Sequence, residues 1–402
     1  MKVVVVGSGA REHALAWKIA QSHALTDLHA APGNPGIAEL GHCHPVRADD
    51  GDGLLSLART LDADLVVIGP EAPLVAGVAD ELRRNGVAVV GPSAEAARIE
   101  GSKGFSKDVM RAAGVPTAEQ LSVARPPCVV KADGLAAGKG VFVCRTADEL
   151  DEALKSVTAL GGGMVIEELL EGREVSLFAL TDGRHVVPLP AVQDFKRIGD
   201  GDTGPNTGGM GAYSPVGWLG GTAPLVDQVH RPVVEELARR GTPFVGCLFA
   251  GLMMTSDGPR VLEFNARFGD PETQVLMPRL DGDLLEVLAA TAHGDLGGVR
   301  IGEGTAAAVT VVLAGPEYPQ RSDYAGVSIS GVEAVQAAGA LVFHGGTAVR
   351  DGRLVTHGGR ILSVTATGAN VQQARTRVYE AVDLVTFEGA KFRTDIAAAA
   401  DA

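Results

Sequence analysis

The chain has 402 residues, enough for about two to four domains, and its 35 Lys and Arg against 49 Asp and Glu leave a net charge of −14. That balance argues against a general nucleic-acid or membrane-surface binder, while leaving room for a local basic pocket around a small polyanion. Four scattered cysteines, Cys43, Cys128, Cys144 and Cys247, show no CxxC spacing, which argues against a disulfide framework or a zinc site and fits a reducing cytoplasm. The opening MKVVVVGSG has no charged leader, and no apolar span approaches ~20 residues, so neither a signal peptide nor a membrane helix is expected.

Val3 to Val6 is a continuous apolar run, as in a strand buried on both faces. It leads into Gly7-Ser8-Gly9-Ala10-Arg11-Glu12-His13 and a helix through about Gln21. Further strands at Leu65 to Ile68 and Val87 to Val90, with helices at Leu54 to Thr60 and Leu74 to Asn85, predict a doubly wound parallel sheet over residues 1–100. GSGARE begins like a dinucleotide fingerprint, but Glu12 stands where the third glycine would allow close helix–strand packing, which disfavours NAD. A phosphate or carboxylate at the helix start, or ordinary turn chemistry, remain open readings of this glycine turn and of the turns Ala31 to Gly36 and Gly69 to Val75. Gly41-His42-Cys43-His44 reads as a loop beside the sheet, because adjacent side chains rarely converge on one metal.

Residues 101–303 form the second expected unit. Gly101-Ser102-Lys103-Gly104 opens a helix to Ala113. Cys128 to Lys131 is an apolar strand that ends in a lysine, followed by ADGLAAGKG and the strand Val141 to Cys144. A glycine-rich hairpin carrying Lys131 and Lys139 offers free backbone N–H groups and ammonium charges to a polyphosphate. It is not a Walker loop, since only three residues separate Gly134 from Gly138 and Gly140 follows Lys139. Either lysine alone would read as a surface group on an ordinary hairpin. Val165 to Leu170 ends another strand, an adenine-sized edge with free backbone groups. Asp194-Phe195-Lys196-Arg197 and the polar stretch Gly201 to Pro215 predict a long functional loop without apolar period.

Val261 to Gln274 reads VLEFNARFGDPETQ. Alternation along a strand puts Leu262 and Phe264 on one face and Glu263 and Asn265 on the other. A carboxylate and an amide oxygen so placed suit a hard cation that also holds phosphate oxygens, although a solvated strand face ending in a charged loop fits the same letters. Arg267, Asp270 and Glu272 follow. A helix around Asp283 to His293 precedes a composition shift near Gly304, after which short strands and the helix Val371 to Val382 predict an α+β unit over 304–402 with structural or exposed His344 and His357 and a frayed alanine tail.

Taken together, GSKGFSK, VVKADGLAAGKG, the EELL segment, NTGGMGAYSP and LEFNARFGDPETQ resemble the ATP-grasp superfamily and, within it, the glycinamide ribonucleotide synthetases. The resemblance runs from GSGAREHALAW to Gly358-Gly359-Arg360. It implies an α/β and α+β multidomain architecture: an N-terminal doubly wound parallel sheet, a central ATP-grasp fold with a lid at about 115–178, and a small C-terminal α+β domain. It implies that Lys103, Lys131, Gly134, Gly138, Lys139 and Gly140 handle the ATP phosphates, and that Glu167, Glu168, Leu169 and Glu174 lie at adenine and ribose. Glu263 and Asn265 match ligands of Mg²⁺ or Mn²⁺, and Arg267 and Asp270 match the catalytic positions. Gly9, Arg11, Gly33, Asn34, Glu71, Asp194, Lys196, Thr207, Gly208, Gly209 and Met210 fall where the substrates would sit. Two departures stand out: Phe249 to Leu252 offers no second acidic ligand, and Lys155 to Met164 is short for a covering loop.

The implied activity joins glycine to 5-phosphoribosylamine through glycyl phosphate, in a cytoplasmic monomer without nucleic-acid or membrane partners. A non-catalytic ADP or NAD sensor and another ATP-grasp carboxylate–amine ligase are the alternatives.

Overall fold

The computed structural model describes residues 1–135 and 140–400. Lys2–Gly7 is the central strand of a five-stranded parallel sheet, flanked by Asp27–Pro32 and His42–Cys43 on one side and Leu65–Ile68 and Val89–Val90 on the other. Val4 and Val6 enter one core while Val3 and Val5 enter another, which is why this strand shows no polar alternation. The sequence missed the short strand His42–Cys43, because its neighbour makes it a strand rather than its own propensity. It also read one helix where two occur, Glu71–Val75 and Val78–Arg84, separated by Gly77 at φ 87°. A left-handed residue there ends the first helix and restarts the second.

Residues 173–265 build a four-stranded antiparallel sheet in the order Val186–Pro188, Arg173–Asp182, Val245–Thr255, Gly258–Asn265. Beside it, Cys128–Ala132 pairs antiparallel with both Val141–Cys144 and Met164–Glu168, and the helix Ala147–Leu160 packs on these strands. Two antiparallel sheets thus make up the centre of the chain.

The stretch 201–215 is not a simple loop. Thr203–Asn206 forms a hairpin with Arg197–Gly199, and Gly211–Ser214 is a fully buried strand. Its partners are Gln193–Asp194 and Ala307–Ala314, in a five-stranded sheet completed by Arg360–Gly368 and Leu341–His344. At Gly211 a Cβ would come within 2.7 Å of Thr310 O, so small residues there serve close packing and hide the strand from an apolar-period search. The tail is likewise more than frayed chain, since Ile396, Ala397 and Ala400 are buried in the C-terminal core.

Helix Glu272–Arg279 is almost wholly buried at the meeting point of these units. It packs on helix Ala10–Ile19 and on strands Gly211–Ser214, Ala307–Ala314 and Arg360–Gly368. The turn just before it therefore delivers Asp270 to a place that all parts of the chain reach.

Candidate active site

Glu263 and Asn265 stand on the strand Gly258–Asn265, opposite Gly251 and Phe249 of the neighbouring strand. A β-bulge interrupts the register between Gly251 and Leu252, so strict alternation fails at Leu262. Val261 and Phe264 enter the core, whereas Leu262 joins Glu263 on the wall of a cavity of about 830 Å³. The Leu262 carbonyl accepts a hydrogen bond from Lys131 Nζ at 2.8 Å.

Lysines and carboxylates are paired throughout this cavity. Lys103 Nζ lies 3.2 Å from Glu263 Oε2. Lys103 pulls the Glu263 carboxyl down to about 2 against its burial. Burial opposes the charge of Lys103, but Glu263 outweighs it and the net shift is upward. The carboxylate of Glu167 is buried between two lysines, 2.7 Å from Lys131 and 2.8 Å from Lys107. Both its oxygens are thereby engaged, and its nearest role is to position Lys131. Lys196 reaches Glu174 at 2.5 Å and Asp194 at 3.8 Å.

A second chain of charges runs in from the N-terminal sheet. Glu12 accepts from Gly9 N and Arg11 Nε, Arg11 faces Glu71 at 3.9 Å, and Glu71 faces Arg267 at 3.3 Å. Arg267 then reaches Glu100 at 3.3 Å and donates to Asn265 Oδ1 at 3.4 Å. Glu12, which excludes the dinucleotide glycine, also fills the space above Gly7, Gly9 and Gly69. Glu100 was missed in the sequence because nothing near it in the chain marks it; its carboxylate accepts from Ala266 N at 2.7 Å.

A smaller cavity of about 510 Å³ adjoins the first, lined by Gly9, Gly33, Asn34, Gly345, Gly346 and Thr347 among others. Asp270, Tyr318, Ser322 and Arg360 line both cavities. Arg360 Nη1 donates to Gly208 O at 2.6 Å and Asp270 O at 2.9 Å, and Nη2 lies 3.0 Å from the Asp270 carboxylate. Tyr318 Oη accepts from Gly208 N at 2.9 Å. The sequence offered Arg360 only as the end of a GGR run and gave no signal for Tyr318 or Ser322.

Of the positions singled out in the sequence, Arg11, Glu71, Lys103, Lys131, Gly134, Gly140, Glu167, Glu168, Leu169, Glu174, Asp194, Lys196, Thr207, Gly208, Glu263, Asn265, Arg267 and Asp270 line the larger cavity. Gly9, Gly33 and Asn34 line the smaller. Gly209 and Met210 line neither. The Met210 side chain is instead fully buried against Ala314 and Tyr318, a packing role, and Gly209 makes room for Pro271, whose Cδ would lie 2.3 Å from an added Cβ. Gly138 and Lys139 fall outside the described residues.

Among the described residues no group of three or more His, Cys, Asp or Glu could enclose a metal ion. Glu263 and Asn265 still fit a hard divalent cation of the Mg²⁺ class, which takes one or two protein oxygens together with substrate phosphates. Among the described residues the amide Nδ2 of buried Asn265 has no partner, and its Oδ1 receives a long contact of 3.4 Å from Arg267 Nη2.

Family models described as the N, ATP-grasp (A) and C domains of phosphoribosylglycinamide synthetase match residues 1–100, 101–273 and 308–399. The phosphoribosylamine–glycine ligase of Streptomyces coelicolor is 52% identical over 420 residues, covering 100% of this chain and 99% of that one. The crystal structure of the Thermotoga maritima phosphoribosylamine–glycine ligase superposes with a TM-score of 0.84 at 34% identity, covering 98% of this chain and 100% of that one. The biotin carboxylase domain of Hydrogenobacter thermophilus 2-oxoglutarate carboxylase shares the fold at 18% identity, with a TM-score of 0.69 over 97% of this chain and 91% of that one.

Proposed function

The chain belongs to the phosphoribosylglycinamide synthetase family, and from that premise we propose how its two adjoining cavities divide the work. It is an ATP-dependent ligase that forms glycinamide ribonucleotide from glycine and 5-phosphoribosylamine in purine biosynthesis. The larger cavity takes ATP and glycine, and the smaller takes the sugar phosphate. The observation that carries this division is that the two share Asp270, Tyr318, Ser322 and Arg360, so an amine from one side can meet an acyl group from the other. On this reading residues 1–100 and 304–402 close around the sugar phosphate, and 101–303, with a lid at about 115–178, holds the nucleotide.

The carboxylate of glycine attacks the γ-phosphate of ATP, giving glycyl phosphate and ADP. The amine of phosphoribosylamine then attacks the glycyl carbonyl, and inorganic phosphate leaves. A carboxylate is already ionised at neutral pH, so the first step needs no protein base. Lys103, Lys131 and Arg267 provide fixed positive charge for the phosphoryl group in transit. Glu167 holds Lys131 in position, and Glu71 and Glu100 do the same for Arg267. The edge formed by Glu168, Leu169 and Glu174 receives the adenine and ribose. Glu263 and Asn265 would hold Mg²⁺ or Mn²⁺, which when bound neutralises polyphosphate charge. Enclosure between the units keeps water from the acyl phosphate. A monomer in the cytoplasm completes the reading, and the four cysteines, all free, agree with a reducing compartment.

The test is ADP release with ATP, Mg²⁺ and glycine, with and without phosphoribosylamine generated in place. The expected result is release that needs both substrates, with one glycinamide ribonucleotide per ADP. ADP release indifferent to glycine would overturn it.

A further inference from the structure

The hairpin of Arg197–Gly199 and Thr203–Asn206 gains no third strand among the described residues, and its turn, Asp200 to Asp202, is exposed. Two strands this short are marginal by themselves. Arg197, Asp202 and Asn206 nevertheless line the larger cavity, and the lining of the smaller cavity includes none of the hairpin's residues. The turn is held from the far end of the chain. Arg393 is only 1% exposed and lines neither cavity. Its Nη1 donates to Asp202 Oδ1 at 2.7 Å and to the Arg197 carbonyl at 3.2 Å, reaching both the turn and the first strand. Its Nε and Nη2 each donate to the Asp395 carboxylate at 2.7 Å, and the guanidinium lies 4.9 Å from the centre of the Phe195 ring. The two residues after it extend the clasp: Thr394 N donates to Asp200 Oδ1 at 2.8 Å, and the Asp395 carboxylate accepts from Gly201 N at 2.8 Å. This segment is fixed in turn by the helix Val371–Val382, where Tyr379 Oη donates to the Arg393 carbonyl at 2.8 Å and accepts from Ile396 N at 3.0 Å. A planar guanidinium bonded along two edges sets direction as well as distance, which a flexible ammonium does not.

We infer that Arg393 is a positioning residue for the reaction: from outside both cavities it clasps the hairpin 197–206 and so sets one wall of the larger cavity. The inference rests on the ligase reading for what occupies that cavity. A misplacement of about 1 Å that begins far from the chemistry can cost on the order of a hundredfold. Here the cost should fall on ATP in the larger cavity and spare phosphoribosylamine, because the smaller cavity takes no part of its lining from the hairpin.

Glycinamide ribonucleotide formation by the unaltered enzyme tests the ligase reading by itself. Trypsin digestion, with the cut after Arg197 followed by mass spectrometry, and calorimetric titration with ATP test the clasp even if no product forms. Arg393→Met should speed that cut at least about tenfold. It should weaken ATP by about tenfold to a hundredfold and leave the KM for phosphoribosylamine within about threefold. Arg393→Lys keeps the charge but cannot bond along two edges, so it should recover only part of the ATP affinity. Asp202→Asn alters a side chain that is 68% exposed and therefore spares the core. It should move both readouts in the same direction by a smaller factor, and adding it to Arg393→Met should bring little further loss, since both changes remove one contact. Unchanged cutting and unchanged ATP affinity in Arg393→Met would overturn the clasp, and where that variant does not fold the same pair of results in Asp202→Asn would do so. Faster cutting with unchanged ATP affinity, or equal weakening of ATP and phosphoribosylamine, would make Arg393 a purely structural residue and overturn its positioning role.

Discussion

Lys103 Nζ lies 3.2 Å from Glu263 Oε2, so a lysine assigned to the ATP phosphates and a carboxylate assigned to the metal neutralise each other before substrate arrives. The pair keeps both groups charged, and on the proposed reading the incoming polyphosphate and cation would exchange with it without a net change of charge in the protein.

Glu263→Gln should therefore lower metal-dependent turnover by at least about a hundredfold, since even the outer partners of metal ligands commonly cost 10–100-fold. The fold should survive, because the Glu263 side chain is still 31% exposed and fills no core volume. Steady-state turnover against metal concentration, with circular dichroism as control, checks this. Near-normal turnover would remove Glu263 from the metal site.

Lys131→Met should weaken ATP by roughly tenfold to a hundredfold, the value of a charge-assisted hydrogen bond of ~1.5–3 kcal/mol. Glu167 keeps Lys107 at 2.8 Å, so its buried charge is not orphaned by the change. Calorimetric titration with ATP reads the loss directly. An unchanged dissociation constant would mean that Lys131 serves only Glu167 and the Leu262 carbonyl.

Local pattern carried much of this to the page in advance. Val3 to Val6 announced a doubly buried strand because burial on both faces leaves a continuous apolar run. Lys103, Lys131, Glu263 and Asn265 were legible because each sits beside a glycine turn or on an alternating strand, and they do line one cavity. Legibility failed where distant chain segments decide the outcome. Gly211–Ser214 is a strand because of Ala307–Ala314, about a hundred residues on. Glu100 and Tyr318 join the site through contacts with no short-range signature. Leu262 faces the cavity because of a bulge that no alternation rule anticipates.

Arg360→Met should raise the KM for phosphoribosylamine at least tenfold while leaving ATP affinity unchanged. Arg360 ties Asp270 to the carbonyl of Gly208 at the junction of the two cavities, far from the lysine cluster in its bonding. Among the described residues, losing it leaves Asp270 with Gln274 Nε2 at 2.8 Å as its remaining side-chain donor. Initial rates at varied phosphoribosylamine, beside calorimetry with ATP, separate the two effects. Equal weakening of both ligands would show a general collapse rather than a junction role.

Acid should destabilise the fold through buried histidines. Burial lowers His13 to about 3, with His344 reinforcing it, and lowers His230 and His344 each to about 4. His13 Nδ1 accepts from His344 N at 2.9 Å, a bond that a protonated ring could not make. Each folded value lies below the ordinary 6.5, so between about pH 6.5 and 4 the unfolded chain binds protons that the folded chain refuses. Stability then rises with pH in that window and falls as pH drops through it, by ~1.4 kcal/mol per pH unit for each such histidine. His230 shows this most simply, since its Nε2 contacts the Leu248 carbonyl at 3.2 Å and, among the described residues, its Nδ1 has no hydrogen-bond partner. His230→Gln keeps a donor for that carbonyl and removes the titrating ring. Proton uptake on denaturant-induced unfolding at pH 5 should therefore fall by about one proton per chain relative to the unaltered protein. Equal uptake by the two proteins would mean that His230 is already protonated in the folded state.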